Sequence, residues 1–189
     1  MDSVLAPAFA KAGLGYPSRQ VALLAFKEEK RLELWGRDEG QWTFVKDFPV
    51  LAASGTSGPK LREGDRQVPE GIYGIEYLNP NSNYHLSMKL DYPNAFDRAH
   101  AQLDGRDQLG GDIFIHGNSL SVGCLAMGDE AAEQLFVVTS LVGKENVRVV
   151  IAPSDVRKSG VPKISDPKPA WLSELYTNIY HGLKDFRRD

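Results

Sequence analysis

The chain carries a single cysteine, Cys124, in 189 residues, so neither an intrachain disulfide framework nor a cysteine-rich metal site can be built from it. Long apolar runs are missing as well. Val21 to Phe26 is among the longest, far short of the ~20 residues that a membrane-crossing helix needs, so no integral membrane segment is expected. The four histidines, His85, His100, His116 and His181, show no metalloprotease or zinc-ribbon spacing, and no metal is expected. Neither a P-loop nor a dinucleotide-binding glycine pattern is present, which removes the usual reasons to expect a cofactor. Basic charge is not in excess either. With 22 Lys and Arg against 25 Asp and Glu, a net charge of -3 and no basic cluster, the chain lacks the electrostatic footprint of a nucleic-acid binder.

What is present is the composition of one globular domain, 42% hydrophobic and 25% charged, without repeats or low-complexity tracts. The N-terminal Val4-Leu5-Ala6-Pro7-Ala8-Phe9-Ala10 is mildly apolar, but it is short, contains Pro7 and follows Asp2 rather than a basic region. It is a poor secretory signal. Either the protein stays in the cytoplasm or its natural leader has been replaced.

The first third predicts a β-meander: an apolar run at Val21 to Phe26, alternation at Arg31 to Trp35, and Gln41 to Phe48 with Trp42, Phe44 and Phe48. Ser54 to Gly71 is rich in Gly, Ser, Pro and charge, and reads as a long surface loop. Strands are expected at Ile72 to Tyr77 and Tyr84 to Leu90, separated by a turn at Asn79-Pro80-Asn81-Ser82, and Tyr92-Pro93-Asn94 opens a further irregular stretch. Asp112 to His116 alternates, with Ile113 and Ile115 on one face and Asp112, Phe114 and His116 on the other. Asp129 is placed to cap a helix carrying Ala132, Leu135, Phe136 and Thr139, which Gly143 ends. Val147 to Ala152 suits a central strand. Pro169 precedes a last helix whose stripe of Leu172, Leu175, Tyr176, Ile179, Leu183 and Phe186 should dock on the domain. The class is mainly β with a few helices, α+β.

Chemistry concentrates between His116 and Cys124. A thiol attacks a carbonyl well only as thiolate, and a free cysteine is mostly protonated at neutral pH. An imidazole in reach can take that proton and later return it to a leaving amine. His116 is the nearest candidate, eight residues before Cys124, a span that fits a strand, a turn and a return strand. Gly117 permits a sharp turn, and its carbonyl could fix the imidazole tautomer. Gly123 leaves room for a substrate carbonyl, and the N–H groups of Gly123 and Cys124 could form an oxyanion hole. The commonest fate of a lone cysteine is nevertheless that of a small buried hydrophobe. Papain-like order, with the nucleophile first, is not met: only His181 follows Cys124, and it lies on the last predicted helix.

Ile115-His116-Gly117 followed by Ser121-Val122-Gly123-Cys124 resembles the signature of the YkuD-type L,D-transpeptidase catalytic domain. A second element, Val68-Pro69-Glu70-Gly71-Ile72-Tyr73, is similar to that family's Pro-x-Gly-x-aromatic strand entry. Within the family the pattern Gly64 to Gly71, then Asn79 to Ser82, then Tyr92-Pro93-Asn94, then the compact His-to-Cys stretch resembles the YafK-like subgroup. The resemblance spans roughly Val21 to Val150. It implies a β-sandwich or barrel with a helix after the catalytic cysteine, a base at His116 and an orienting acceptor at the Gly117 carbonyl. Typical members carry a second histidine directly before Gly-Cys, where this chain has Val122. The division implied is an N-terminal extension 1–16, a catalytic domain 17–155 and a docked helical extension 156–189.

The implied activity is cysteine-dependent acyl transfer on diaminopimelate-containing peptidoglycan stem peptides, attacked at the L-centre, in the periplasm or outside the cell. A hydrolytic member remains open, either an L,D-carboxypeptidase or an amidase releasing a wall-linked group such as a protein. So does a non-catalytic wall-binding domain. For substrate contacts Arg98, with Arg66 as a weaker alternative and Asp97 beside it, could grip a stem-peptide carboxylate through paired N–H bonds. Tyr84, His85 and Ser87 lie on a strand expected near the cleft, and Asn118, Ser119 and Ser121 line the His-to-Cys turn, where local hydrogen bonds also account for them.

Overall fold

The run Val21 to Phe26 lacks polar alternation because both of its faces are covered. In the computed structural model, which describes residues 4–162 and 168–188, it forms β1 (Gln20–Phe26), flanked by β2 (Arg31–Arg37) and, in parallel, by β10 (Val147–Ala152). Val21, Leu23 and Ala25 enter one core with Leu32, Leu34, Val149 and Ile151. Ala22, Leu24 and Phe26 face the other way, into a second core with Trp35, Val150, Leu175 and Ile179. A strand buried on both faces has no position left for polar side chains.

The first sheet runs β3-β2-β1-β10-β5, with β3 spanning Thr43–Pro49 and β5 Gly71–Tyr73. Its first three strands are the expected meander. The second sheet runs β4-β9-β8-β7-β6: β4 (Ala52–Ala53), β6 (Ile75–Ser82), β7 (His85–Leu90), β8 (Phe114–His116) and β9 (Leu125–Ala126). Between the sheets lies the first core, which also takes Leu5 and Phe9 from the region of α1 (Ala6–Lys11) and Leu135 and Val138 from α3 (Asp129–Val142). The last helix, α5 (Leu172–Leu183), covers the outer face of the first sheet through Leu175, Tyr176, Ile179 and Leu183, with Phe186 just beyond it. The fold is α+β, two mixed sheets with helices packed on them. Of the expected terminal extensions, residues 1–3, 163–167 and 189 lie outside the described residues.

Four local expectations are corrected. Asn79-Pro80-Asn81-Ser82 is not a turn but the end of β6, and the turn falls at Asn83-Tyr84. Pro80 is tolerated because β6 is an edge strand whose register shifts between Asn79 and Ser82. Tyr77 and Ile72 belong to two strands rather than one, broken at Gly74. Tyr92-Pro93-Asn94 opens a helix, α2 (Ala95–Leu103), where Asn94 and Asp97 form a reciprocal capping box. Asp129 gives no side-chain cap to α3: Gly128 is the capping residue, and Asp129 instead accepts the Asn118 amide at 2.7 Å.

The long segment after β4 is held by a buried ion pair. Lys27 and Glu70 meet at 3.0 Å with side chains 6% and 0% exposed. The Lys27 ammonium also donates to the carbonyls of Gly58 and Val68, and Glu70 accepts the Gly58 amide at 2.7 Å. A buried charge pair tied to two carbonyls and one amide of the segment in this way keeps it in one conformation, although the second Glu70 oxygen, Oε2, is buried without a hydrogen-bond partner.

Candidate active site

β8 is sandwiched between β7, antiparallel, and β9, parallel. Because Ile115 pairs with Leu125 and His116 with Ala126, the residue before β9 lies alongside the start of β8. That residue is Cys124. The return strand expected after His116 is therefore wrong in direction: the turn 117–124 loops back so that β9 starts again beside β8 and runs the same way. The Phe114 amide donates to the Cys124 Sγ at 3.4 Å, and the thiol donates to the Asp112 carbonyl at 3.6 Å.

His116 is 3% exposed. Its Nδ1 lies 2.5 Å from the Gly117 carbonyl oxygen, a contact that requires N–H at Nδ1 and leaves Nε2 as the proton acceptor. Burial holds the imidazole pKa below the ordinary histidine value, with the Gly117 contact opposing it. Burial pushes the Cys124 thiol up, opposed first by the Phe114 amide. Both shifts favour neutral forms, so the resting pair is thiol and imidazole rather than thiolate and imidazolium. Among the described residues no hydrogen bond joins the two. The ring of Tyr84, itself half exposed, lies 4.8 Å from the imidazole at an interplanar angle of 37°.

Gly117 is required by space. A Cβ there would stand 2.7 Å from both the Asp129 Oδ1 and the Tyr84 carbonyl, and 3.0 Å from the His85 Cβ. Gly123 is required by backbone, with φ at +83° in the left-handed region. The two expected oxyanion-hole amides both have partners: Gly123 N–H donates to the Ser54 hydroxyl at 2.5 Å, and Cys124 N–H donates to the Ser121 hydroxyl at 3.1 Å. Ser121 in turn donates to the Cys124 carbonyl, and Ser54 to the Arg66 carbonyl at 2.7 Å. Ser54 was not expected. It lies on the far side of the sequence from the turn, and no local pattern marks it.

The remaining candidates divide. Ser87 is buried on β7 directly opposite His116. Asn118 adopts a left-handed conformation, its amide bonded to Asp129 and its side chain to the Ser119 amide, so it shapes the turn. His85 pairs with Glu133 of α3 at 2.7 Å. Arg98 is exposed on α2 with its guanidinium donating to the Pro93 carbonyl, and no contact of the described residues brings it to Cys124. Asp97 is half-buried at its helix start beside the Tyr73 hydroxyl, and the loss of solvent there pushes its pKa up to about 6. Arg66 contributes its carbonyl rather than its charge to the neighbourhood of Cys124. His181 lines a separate recess with Tyr73 and Asp97. Leu120 and Val122 are 72% and 71% exposed on the turn itself. No group of His, Cys, Asp and Glu suited to a metal occurs among the described residues.

The described residues thus form an α+β domain of two mixed sheets, with a buried, carbonyl-oriented imidazole on β8 and a thiol immediately before its parallel neighbour β9. The chain belongs to the YkuD L,D-transpeptidase catalytic-domain family, whose model matches residues 20–151. It is 34% identical over 158 residues to YafK of Escherichia coli (strain K12), a protein with a provisional L,D-transpeptidase name, across 80% of this chain and 62% of that protein. It thus spans less than two thirds of that relative. The helical cell shape determining protein Pgp2 from Campylobacter jejuni shares the fold, with a TM-score of 0.58, 23% identity, and coverage of 89% of this chain and 63% of Pgp2. Bdellovibrio bacteriovorus Bd1075 follows at a TM-score of 0.52 and 19% identity, covering 88% of this chain and 56% of its own.

Proposed function

We propose that the protein is a cysteine acyl-transfer enzyme acting on peptidoglycan stem peptides at the L-centre of diaminopimelate, with Cys124 as nucleophile and His116 as base. The observation that supports this reading is the parallel pairing of β8 with β9, with Cys124, the only cysteine of the chain, immediately before β9 and a buried imidazole, its Nδ1 against the Gly117 carbonyl, on β8. With Nδ1 occupied, Nε2 accepts the thiol proton as the sulfur bonds to the substrate carbonyl carbon. A neutral pair suits this step, because separation of charge is deferred until the substrate has entered. The developing oxyanion takes over the Gly123 and Cys124 amides, displacing the Ser54 and Ser121 hydroxyls that hold them in the resting site. The imidazolium then protonates the departing amine, leaving a thioester on Cys124.

Resolution of that thioester defines the subclass. An amine acceptor makes the protein an L,D-transpeptidase. Water makes it an L,D-carboxypeptidase, or an amidase that frees a wall-linked group. This work belongs to the wall, in the periplasm or outside the cell. Purified muropeptides incubated with the protein, with and without an added amine acceptor, separate the two by product mass. The Cys124→Ala variant must form neither product. Muropeptide binding by the unaltered protein without turnover would instead identify a wall-binding domain that has kept the fold.

A further inference from the structure

A recess of about 480 Å³, lined by none of the residues around Cys124, lies between β2, the short helix α4 (Val156–Ser159) and the end of α5. Six of its side chains are cationic: Arg31, Arg157, Lys158, Lys184, Arg187 and Arg188. Only two are acids, Glu33 and Asp155, in a chain whose net charge is -3.

Both acids are already saturated. The Glu33 Oε1 meets Arg31 at 3.1 Å and Arg188 at 2.9 Å, and its Oε2 takes the Trp35 indole N–H and Arg157. Asp155 accepts from Arg157 at 2.7 Å and from Arg31 at 3.2 Å. Arg188 reaches one further carboxylate, Asp47, at 3.1 Å. The outer cations are less engaged. Lys158 is 76% exposed and 3.8 Å from Asp155, while Lys184 and Arg187 have no ion pair among the described residues. Within the recess the Arg31 Nε is buried without a hydrogen-bond partner.

The guanidinium planes are fixed by aromatic rings, Arg157 at 4.9 Å from Phe26 and Arg188 at 3.8 Å from Phe44. An oriented cationic excess in a concave site concentrates field on an anion. Fixed guanidinium forks match the geometry of phosphate. A carboxylate offers two acceptor oxygens, whereas a phosphoryl group offers three or more, enough for donors arriving from β2, α4 and α5 together. The volume also admits more than the bare anion.

We propose that this recess binds a phosphate-bearing ligand of headgroup size, through Lys184 and Arg187 at its rim and the arginines behind them. Phosphate of this kind is presented by lipid headgroups and by soluble phosphorylated sugars or polyols, and one experiment separates the sources. The full chain is titrated by NMR with sn-glycerol 3-phosphate, and is sedimented with vesicles of phosphatidylglycerol or of phosphatidylcholine. Saturable binding of glycerol 3-phosphate, with glycerol alone inert, is expected. Sedimentation with phosphatidylglycerol only, relieved by glycerol 3-phosphate, identifies a lipid headgroup. Titration without sedimentation identifies a soluble ligand. The double variant Lys184→Ala/Arg187→Ala should weaken binding at least about tenfold, because it removes two charged donors. Its melting curve should be unchanged, because neither residue holds an ion pair among the described residues. If that variant is unfolded, Lys158→Ala/Lys184→Ala carries the same expectation. The Cys124→Ala chain should bind like the unaltered one, which keeps this result independent of the acyl-transfer reading. No saturable binding up to about 10 mM glycerol 3-phosphate, a range of ordinary weak affinity, or unchanged binding by a folded double variant, would overturn the proposal.

Discussion

Replacing Gly117 by alanine tests the site through one methyl group. The added carbon would lie 2.7 Å from the Tyr84 carbonyl, 2.7 Å from the Asp129 Oδ1 and 3.0 Å from the His85 Cβ. The first neighbour belongs to the β6–β7 turn and the third to the first residue of β7, and neither can swing aside as a flexible side-chain tip does. The Gly117 amide also donates to the Leu86 carbonyl at 3.1 Å, so relief must come from separating β8 from β7 or lifting the turn. Overpacking of this kind costs about 1–3 kcal/mol. For a chain of this size that lowers the melting temperature by roughly 2–12 °C. Either relief route moves the Gly117 carbonyl, and with it the imidazole it holds. A displacement of about 1 Å at a catalytic group reduces turnover by roughly a hundredfold. Thermal unfolding followed by circular dichroism, together with kcat/KM on a muropeptide, reads both effects. A Gly117→Ala protein with unchanged melting temperature and unchanged kcat/KM would refute the steric argument and the orienting role of the carbonyl together.

Tyr84→Ala removes the ring beside His116 and should lower kcat/KM by about 2- to 10-fold, the worth of one aromatic contact, whereas Tyr84→Phe should be neutral; kinetics on the two variants decide it. Ser54→Ala takes away the hydroxyl that ties the Gly123 amide to the Arg66 carbonyl. Because the oxyanion displaces that hydroxyl, Ser54→Ala should leave kcat unchanged or slightly raised while costing about 1 kcal/mol in stability, and a fall in kcat of about tenfold or more in the folded variant would contradict the displacement step. The pH profile follows from the shifts. His116 titrates below the ordinary histidine value, so the acidic limb of kcat/KM should lie below pH 6.5, activity falling as the pH drops through it and the base becomes protonated. The Cys124 thiol is raised, so its alkylation by iodoacetamide in the free enzyme should increase only above the ordinary thiol range.

Elements whose pattern is local were legible in the sequence. β1 and β10 announce themselves as apolar runs because both faces are buried, and α5 by its stripe from Leu172 to Leu183. Helix α2 was hidden because Tyr92-Pro93-Asn94 reads as a turn, although Asn94 followed by Asp97 is a capping pair once the helix is considered. Pro80 read as a breaker since nothing local says that β6 is an edge strand. At the site, the short segment between His116 and Cys124 pointed to a juxtaposition but not to parallel strands, because direction depends on how β9 pairs rather than on the turn's own residues. Ser54 was invisible for the same reason: its bond to Gly123 exists only once β4 has paired with β9. Arg98, a residue type suited to carboxylates, is left by the fold exposed on α2 and bonded within its own segment.

The central claim is a covalent acyl intermediate on Cys124. Intact-protein mass spectrometry of the enzyme, quenched in acid during turnover of a diaminopimelate-containing muropeptide, measures it directly. The account predicts an increment equal to the acyl fragment of the stem peptide, mapped by proteolysis to the peptide holding Cys124 and absent from the Cys124→Ala variant. Turnover that persists in Cys124→Ala, or an adduct mapped to any other residue, would contradict it.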